Sequence, residues 1–199
     1  EARHDGPAAM RSVRALSFVG VVAVACASQE SSTGNRTATE EPRSVTPQVA
    51  LETSKGRIVL ELEPQLAPET VANFLLHVRS GFYDGLIFHR VREDFIIQAG
   101  LLTADMQRRK TSVMGVRNEA DNGLRNARGT VSMARTSDPH SATNQFFINV
   151  NNNSNLNHRS KSANGWGYAV FGKVIKGMSV VNIIKKAKTE RKNGRLDRS

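Results

Sequence analysis

Phe88-His89-Arg90-Val91 places a guanidinium inside a run of strand-forming residues, with an aromatic at Phe95 and an amide at Gln98 close behind. A permanently charged fork of donors beside apolar side chains describes a greasy pocket with one strong hydrogen-bonding arm. Such a pocket suits a ligand that is uncharged but polarisable, for which a peptide bond qualifies. A second chemical stretch, Ser132-Met-Ala-Arg135 followed by Pro139-His-Ser-Ala-Thr-Asn-Gln-Phe-Phe-Ile-Asn149, repeats the mixture of amides, aromatics and one arginine. Taken one at a time these residues have plainer uses. Arg90 alone would serve as an ion-pair partner, Phe95, Phe147 and Leu156 as core, Gln98 and Gln145 as partners of buried main chain, and His89 as a satisfied structural histidine.

Other chemistries fit poorly. His4, His77, His89, His140 and His158 are scattered without ligand spacing, so no metal is expected. Gly167-Tyr-Ala-Val-Phe-Gly172-Lys173-Val174 approaches a phosphate-binding loop, but Val174 stands where a metal-binding hydroxyl is required and the intervening residues read as an apolar strand. No nucleophile elbow occurs, and the single thiol, Cys26, lies far upstream. Neither a cofactor nor a covalent intermediate is expected.

The elements that must position these residues follow from periodicity. Val49–Thr53 and Arg57–Glu63 alternate around Ser54-Lys55-Gly56 and predict a hairpin. The period then lengthens: proline opens Pro68–Arg79, apolar residues recur at Val71, Phe74, Leu75 and Val78, and Gly81 follows, which predicts an amphipathic helix. Short strands are predicted at Ile87–Val91, Phe95–Ala99, Gly129–Met133, Phe146–Val150 and Val170–Val174, with a closing helix at Ser179–Lys186 and a long loop from Leu101 to Arg128. Many short strands and two helices favour a mostly β fold, a closed barrel.

The chain of 199 residues divides into four parts: residues 1–26, 27–48, a domain over 49–190, and a basic tail over 191–199. Of the net charge of +10, residues 1–48 contribute nothing, while 49–190 hold 19 basic against 12 acidic residues. Basic residues are not interleaved with aromatics, and Arg108-Arg109-Lys110 is the densest cluster, so no nucleic acid is expected as partner. Met10 to Arg14 carries two positive charges, Ala15 to Ala25 is an almost unbroken apolar run, and Ala23-Val24-Ala25 precedes Cys26. This is the anatomy of a secretory leader, too short for a spanning helix, which needs roughly 20 residues. Small residues before a cysteine resemble a bacterial lipoprotein signal, in which Cys26 would be lipidated and tether the protein to a membrane. Cleavage after Ala25 or Ala27 would instead leave a soluble protein. The Ser-, Thr-, Glu- and Pro-rich stretch 27–48 reads as a disordered spacer, and the expected location is the bacterial cell envelope, the periplasm.

Phe88-His-Arg-Val-x-x-x-Phe-Ile-x-Gln-Ala-Gly100, the stretch Ser132–Asn149, Asn118-Glu-Ala-Asp-Asn-Gly-Leu-Arg125 and Gly165-Trp-Gly-Tyr-Ala-Val-Phe-Gly172 occur in order. Together they resemble the cyclophilin-type peptidyl-prolyl cis-trans isomerases over about Val49 to Lys188, with features closest to bacterial periplasmic members. The resemblance implies an eight-stranded antiparallel barrel closed by two helices, acting as a monomer on X-Pro bonds of proline-containing polypeptides and assisting the folding of exported proteins. It implies Arg90 as catalytic arginine with Phe95 and Gln98. Ile96, Phe147 and Leu156 would line the proline pocket, with Tyr168 where many eukaryotic relatives have histidine. Ala134 and Arg135 would hold the peptide through main-chain groups and Gln145 through its side chain. Two positions depart from the pattern. Arg92 stands where an apolar residue is usual, and Asn155 where an aromatic walls the pocket, which implies a more open pocket and weak binding of cyclosporin-like ligands. A proline-binding holdase with little turnover is the alternative.

Overall fold

A computed structural model describes residues 8–16 and 46–187. Among them eight strands form one antiparallel sheet, attended by two helices. The strands are β1 (Met10–Leu16), β2 (Gln48–Thr53), β3 (Gly56–Leu62), β4 (Arg90–Val91), β5 (Ile96–Ala99), β6 (Thr130–Met133), β7 (Phe146–Asn149) and β8 (Val170–Lys176); the helices are α1 (Pro68–Arg79) and α2 (Met178–Lys185). Their order across the sheet is β1-β2-β3-β8-β6-β7-β5-β4. Leu101 to Arg128 contains isolated bridges but no named element, as its lack of periodicity predicts.

The hairpin β2–β3 closes from Thr53 to Gly56, whose φ of +128° suits the missing side chain. Helix α1 buries Val71, Phe74, Leu75 and Val78, the stripe its spacing defines. Phe74 meets the rings of Tyr83, Phe146 and Phe171 at 5.4, 5.3 and 5.0 Å, and burying a side chain of this size contributes roughly 1.5–3 kcal/mol. The helix ends at Ser80, after which Gly81 turns with φ of +67° and its N–H donates to the carbonyl of Val78. Helix α2 buries Val181 and Ile184 in the same core.

Two expectations need correction, the closed barrel and the extent of the strand Ile87–Val91. The sheet curls but its ladder does not close into a barrel. Between β1 and the chain entering β4, only Ala9 and Ile87 form a bridge, flanked by the bonds from Met10 N–H to Leu86 and from Phe88 N–H to Ala8, and His89 has left the ladder before Arg90 begins β4. The predicted strand Ile87–Val91 is thereby reduced to Arg90–Val91. Residues 10–16, which open the predicted leader, form β1, paired in register with β2 through Val13–Leu51 and Ala15–Val49. Met10 and Val13 are buried in the core there. The remainder of that leader with Cys26, the spacer up to residue 45 and the tail over 191–199 lie outside the described residues.

Candidate active site

Antiparallel pairing aligns one row of residues across four strands. Arg90 on β4 faces Gln98 on β5, Gln98 faces Phe147 on β7, and Phe147 faces Ser132 on β6. Side chains in register project from the same face, and residues two positions away join them. Ile96, Gln145, Asn149 and Ala134 therefore share that face with Arg90. The intervening residues Ile97, Ala99, Phe146, Ile148, Val131 and Met133 point the other way, into the main core.

On the site face the polar groups form a relay. The guanidinium Nη1 of Arg90 lies 3.5 Å from Oε1 of Gln98, and Nε2 of Gln98 donates to Oε1 of Gln145 at 2.9 Å. The first of these is long for a charge-assisted hydrogen bond, so it orients the guanidinium without saturating it.

Beside the relay lies an apolar cluster separate from the main core. Ile96, Phe147 and Leu156 are its buried members, and Phe95, Ala134 and Tyr168 pack against them half-exposed. Phe147 and Tyr168 meet edge to face at 5.7 Å, and the guanidinium of Arg135 sits 4.8 Å above the Tyr168 ring. Nε of Arg135 also donates to the carbonyl of Gly167 at 2.9 Å, so this side chain braces the Tyr168 wall. The N–H of Ala134 donates to the carbonyl of Gln145 at 2.9 Å and joins the two strands at this point, while its own carbonyl is left for a bound ligand.

Beneath the cluster runs a set of buried amides that the sequence gives no reason to single out. Nδ2 of Asn126 donates to the carbonyls of Leu156 and Tyr168, both at 3.2 Å, while its Oδ1 accepts from Ser132 Oγ at 2.7 Å and from Asn149 Nδ2 at 3.2 Å. Asn153 Nδ2 donates to Asn149 Oδ1 at 2.7 Å and to the carbonyl of Phe95 at 2.9 Å. Three walls of the pocket, Phe95, Leu156 and Tyr168, are thus held by their main chains to one network. Asparagine in loop sequence is common, and only the buried partners distinguish these three.

His89 is not the satisfied histidine expected. Its Nδ1 is buried without a hydrogen-bond partner among the described residues. Burial pushes its pKa down to about 4 from 6.5; the carbonyl of Ile87 opposes the shift, the charge of Arg90 adds to it, and the Gln145 side chain opposes it. The folded state therefore holds His89 neutral where the unfolded chain would protonate it. Stability is full above pH 6.5 and is lost as pH falls from 6.5 towards 4, by at most about 3 kcal/mol. Denaturant unfolding at pH 7.5 and 4.5 checks this: the fall should be several-fold smaller in His89→Gln, and equal falls in both proteins would refute it.

Arg90, Arg92, Glu93, Asp94 and Phe95 border a depression of about 340 Å³ on the open side of the cluster. A wider one of about 530 Å³, bordered by Gly115, Arg117, His140, Lys161 and Trp166, includes none of the converging residues. Arg92 is exposed in the turn closed by Phe95 N–H to Arg92 carbonyl, and Asn155 is exposed on the 3-10 turn Ser154–Leu156. All ten predicted site residues of the domain, Arg90, Phe95, Ile96, Gln98, Ala134, Arg135, Gln145, Phe147, Leu156 and Tyr168, thus belong to one surface. The eleventh, Cys26, lies outside the described residues.

Residues 48–198 match the model of the family described as cyclophilin type peptidyl-prolyl cis-trans isomerase/CLD. Over 149 residues the chain is 62% identical to a peptidyl-prolyl cis-trans isomerase of Streptomyces antibioticus, covering 75% of this chain and 89% of the relative. It is 50% identical over 143 residues to peptidyl-prolyl cis-trans isomerase B of Escherichia coli, covering 72% and 87%. Among solved structures, a Cryptosporidium parvum cyclophilin crystallised in the presence of the dipeptide Ala-Pro superposes with a TM-score of 0.62 at 29% identity, covering 71% of this chain and 87% of that one.

Proposed function

This chain belongs to the cyclophilin-type peptidyl-prolyl cis-trans isomerase family and is a peptidyl-prolyl cis-trans isomerase; on that premise we propose that Arg90, Phe95 and Gln98 carry its catalysis. The observation behind the assignment is the single row Arg90–Gln98–Phe147, which sets a cation against an apolar floor.

An X-Pro bond prefers trans by only about 0.5–1 kcal/mol, yet it interconverts in tens to hundreds of seconds because partial double-bond character must be broken. The obstacle is kinetic. Shortening ~100 s to ~1 ms requires ~10⁵-fold, or roughly 7 kcal/mol of transition-state stabilisation beyond that given to the planar amide. In the twisted amide resonance is lost and the prolyl nitrogen regains a lone pair. Arg90 donates to that nitrogen, a bond the planar form accepts poorly. Phe95, Ile96, Phe147 and Leu156 hold the ring while the preceding carbonyl rotates, and the apolar setting favours the twisted amide, whose charge separation is smaller. Gln98 keeps the guanidinium aimed, and Gln145 presents its side-chain amide to the peptide. Proline-containing polypeptides are the substrates.

Exchange NMR on a short X-Pro peptide tests turnover. Exchange no faster than background, with the peptide still bound, would leave a holdase and sink the catalytic assignment.

The reading further places the enzyme in the bacterial cell envelope, assisting exported proteins as a monomer, with Cys26 lipidated. The charged start, apolar run and small residues before Cys26 support this. Metabolic labelling with palmitate should mark the wild-type chain and not Cys26→Ser; no Cys26-dependent label would exclude the tether.

A further inference from the structure

Two chain segments that wall the proline pocket continue into the wider depression. Tyr168 is two residues from Trp166, and the loop that leaves Ala134 and Arg135 reaches the depression at His140. Two residues of chain span at most about 7 Å, so the depression begins close beside the Tyr168 wall. Its lining is built and chemically one-sided. Gly115 passes so near that a Cβ there would lie 2.6 Å from the carbonyl of His140. Trp166 is 7% exposed, its N–H donates to the carbonyl of Ser162, and its ring meets that of His140 edge to face at 5.0 Å. The N–H of Asn118 donates to Nδ1 of His140 at 3.1 Å, so the neutral ring carries its proton on Nε2 and offers a donor there. The indole N–H of Trp166 and the guanidinium of Arg117 have no acceptor among the described residues. Nζ of Lys161 lies 6.0 Å from the centroid of the Trp166 ring and 3.5 Å from Asp121, a loose pair on a side chain 67% exposed. The carboxylates two residues from His140 and Arg117 are turned to main chain: Asp138 accepts from the N–H of His140, and Glu119 from the N–H groups of Glu69 and Thr70.

We propose that this depression is a second subsite, which takes an acidic side chain of the substrate polypeptide a few residues from the proline and so selects proline segments flanked by negative charge. Every polar side chain that borders it is a donor, two of them are cations, and Trp166 supplies an apolar floor on which the stem of a glutamate can lie. A carboxylate completes such a set, whereas a lysine or arginine of the substrate would meet Arg117 and Lys161 with like charge. A lipid surface fits less well, because it calls for a broad positive face and Asp121 and Asp138 interrupt this one. The proposal rests on the reading that the substrate peptide passes Tyr168 and Arg135. The contact is remote from the turning bond and equal in its planar and twisted states, so its effect falls on KM and leaves kcat.

The test uses the full chain and four peptides with one Ala-Pro bond each: one with a pair of glutamates a few residues before the proline, one with the pair the same distance after it, and a glutamine version of each. Trp166 is the only tryptophan of the chain, so its fluorescence reports occupancy of the depression directly. One glutamate peptide should bind about three- to tenfold more tightly than its glutamine version, change that fluorescence and show the gain in KM. In the double variant Arg117→Gln, Lys161→Gln the glutamate-to-glutamine ratio should fall to near one. Salt at ~0.5 M, where the screening length shrinks to roughly 4 Å, should do the same to the wild-type chain. No preference for either glutamate peptide, or a preference that survives in the double variant, would overturn the proposal. Binding to phosphatidylglycerol vesicles that the double variant loses, with the peptide preference unmoved, would assign the depression to a lipid surface and overturn it as well. Failure of the catalytic reading shows instead as absent turnover of the glutamine peptides, while the fluorescence preference is read whether or not a peptide is turned over, so the two failures stay apart.

Discussion

Arg90→Ala is expected to lower kcat/KM by about 10²–10³-fold, the loss typical of removing one donor aimed at developing charge or a lone pair. Of the roughly 7 kcal/mol the reaction needs, that assigns about 3–4 to the guanidinium and the remainder to the apolar pocket. Peptide affinity should stay within about threefold, because Phe95, Ile96 and Phe147 remain, which is the signature of an interaction made only in the transition state. Thermal unfolding should hardly move: Arg90 is half-buried on a two-residue edge strand, and its bond to Gln98 is 3.5 Å long. Arg90→Lys discriminates further. An ammonium keeps the charge but lacks the planar fork, so it cannot hold Gln98 and reach a prolyl nitrogen in the same geometry, and about a tenfold loss is expected. Line-shape or exchange NMR on one X-Pro peptide with all three proteins gives both quantities. Full activity in Arg90→Ala would exclude the mechanism.

Asn126→Leu is expected to be the most damaging substitution beneath the site. It keeps the branched shape but removes both ends of an amide that serves five partners: Ser132 Oγ, Asn149 Nδ2, Asn157 Oδ1 and the carbonyls of Leu156 and Tyr168. Each buried polar group left unpaired costs about 1–3 kcal/mol, and because the five share one network their losses do not simply add. A total near 3–5 kcal/mol follows, or a fall in Tm of roughly 10–15 °C for a domain of this size. KM should rise several-fold, since Leu156 and Tyr168 lose the anchor that holds them against Phe147. Asn126→Asp sharpens the test: it keeps an acceptor for Ser132 and Asn149 but turns a carboxylate oxygen towards two carbonyls, so it should be no better than leucine. Calorimetry with a peptide titration measures both effects, and a stable Asn126→Leu variant with normal KM would show the network to be dispensable.

Much of the domain was legible in the sequence. Helix α1 runs from Pro68 to Arg79 as its spacing predicts, and α2 and six of the strands lie within two residues of their predicted bounds, because most of them have a glycine or proline near an end. The exception within the domain is Ile87–Val91. Its residues favour extended backbone, but a strand needs a continuous ladder, and Phe88 and His89 belong to none between the bridge at Ile87 and the start of β4. His89 was misjudged for a related reason: whether a ring nitrogen is satisfied depends on what packs over it.

The order of residue types from Phe88 to Gly172 by itself determined the family, since several long motifs in sequence leave few other folds in which Arg90, Gln98 and Phe147 would recur in that order. Only the tertiary structure decided which face each residue serves. Ile96-Ile97 and Phe146-Phe147 are apolar pairs on strands with both faces covered, so alternation shows that neighbours diverge but not which one enters the core. Pairing across β4, β5, β7 and β6 resolves it, sending Ile97 and Phe146 inward and Ile96 and Phe147 to the pocket. The amides of Asn126, Asn149 and Asn153 and the strand Met10–Leu16 belong to the same class: each takes its role from partners tens of residues away, and local pattern carries no record of those partners.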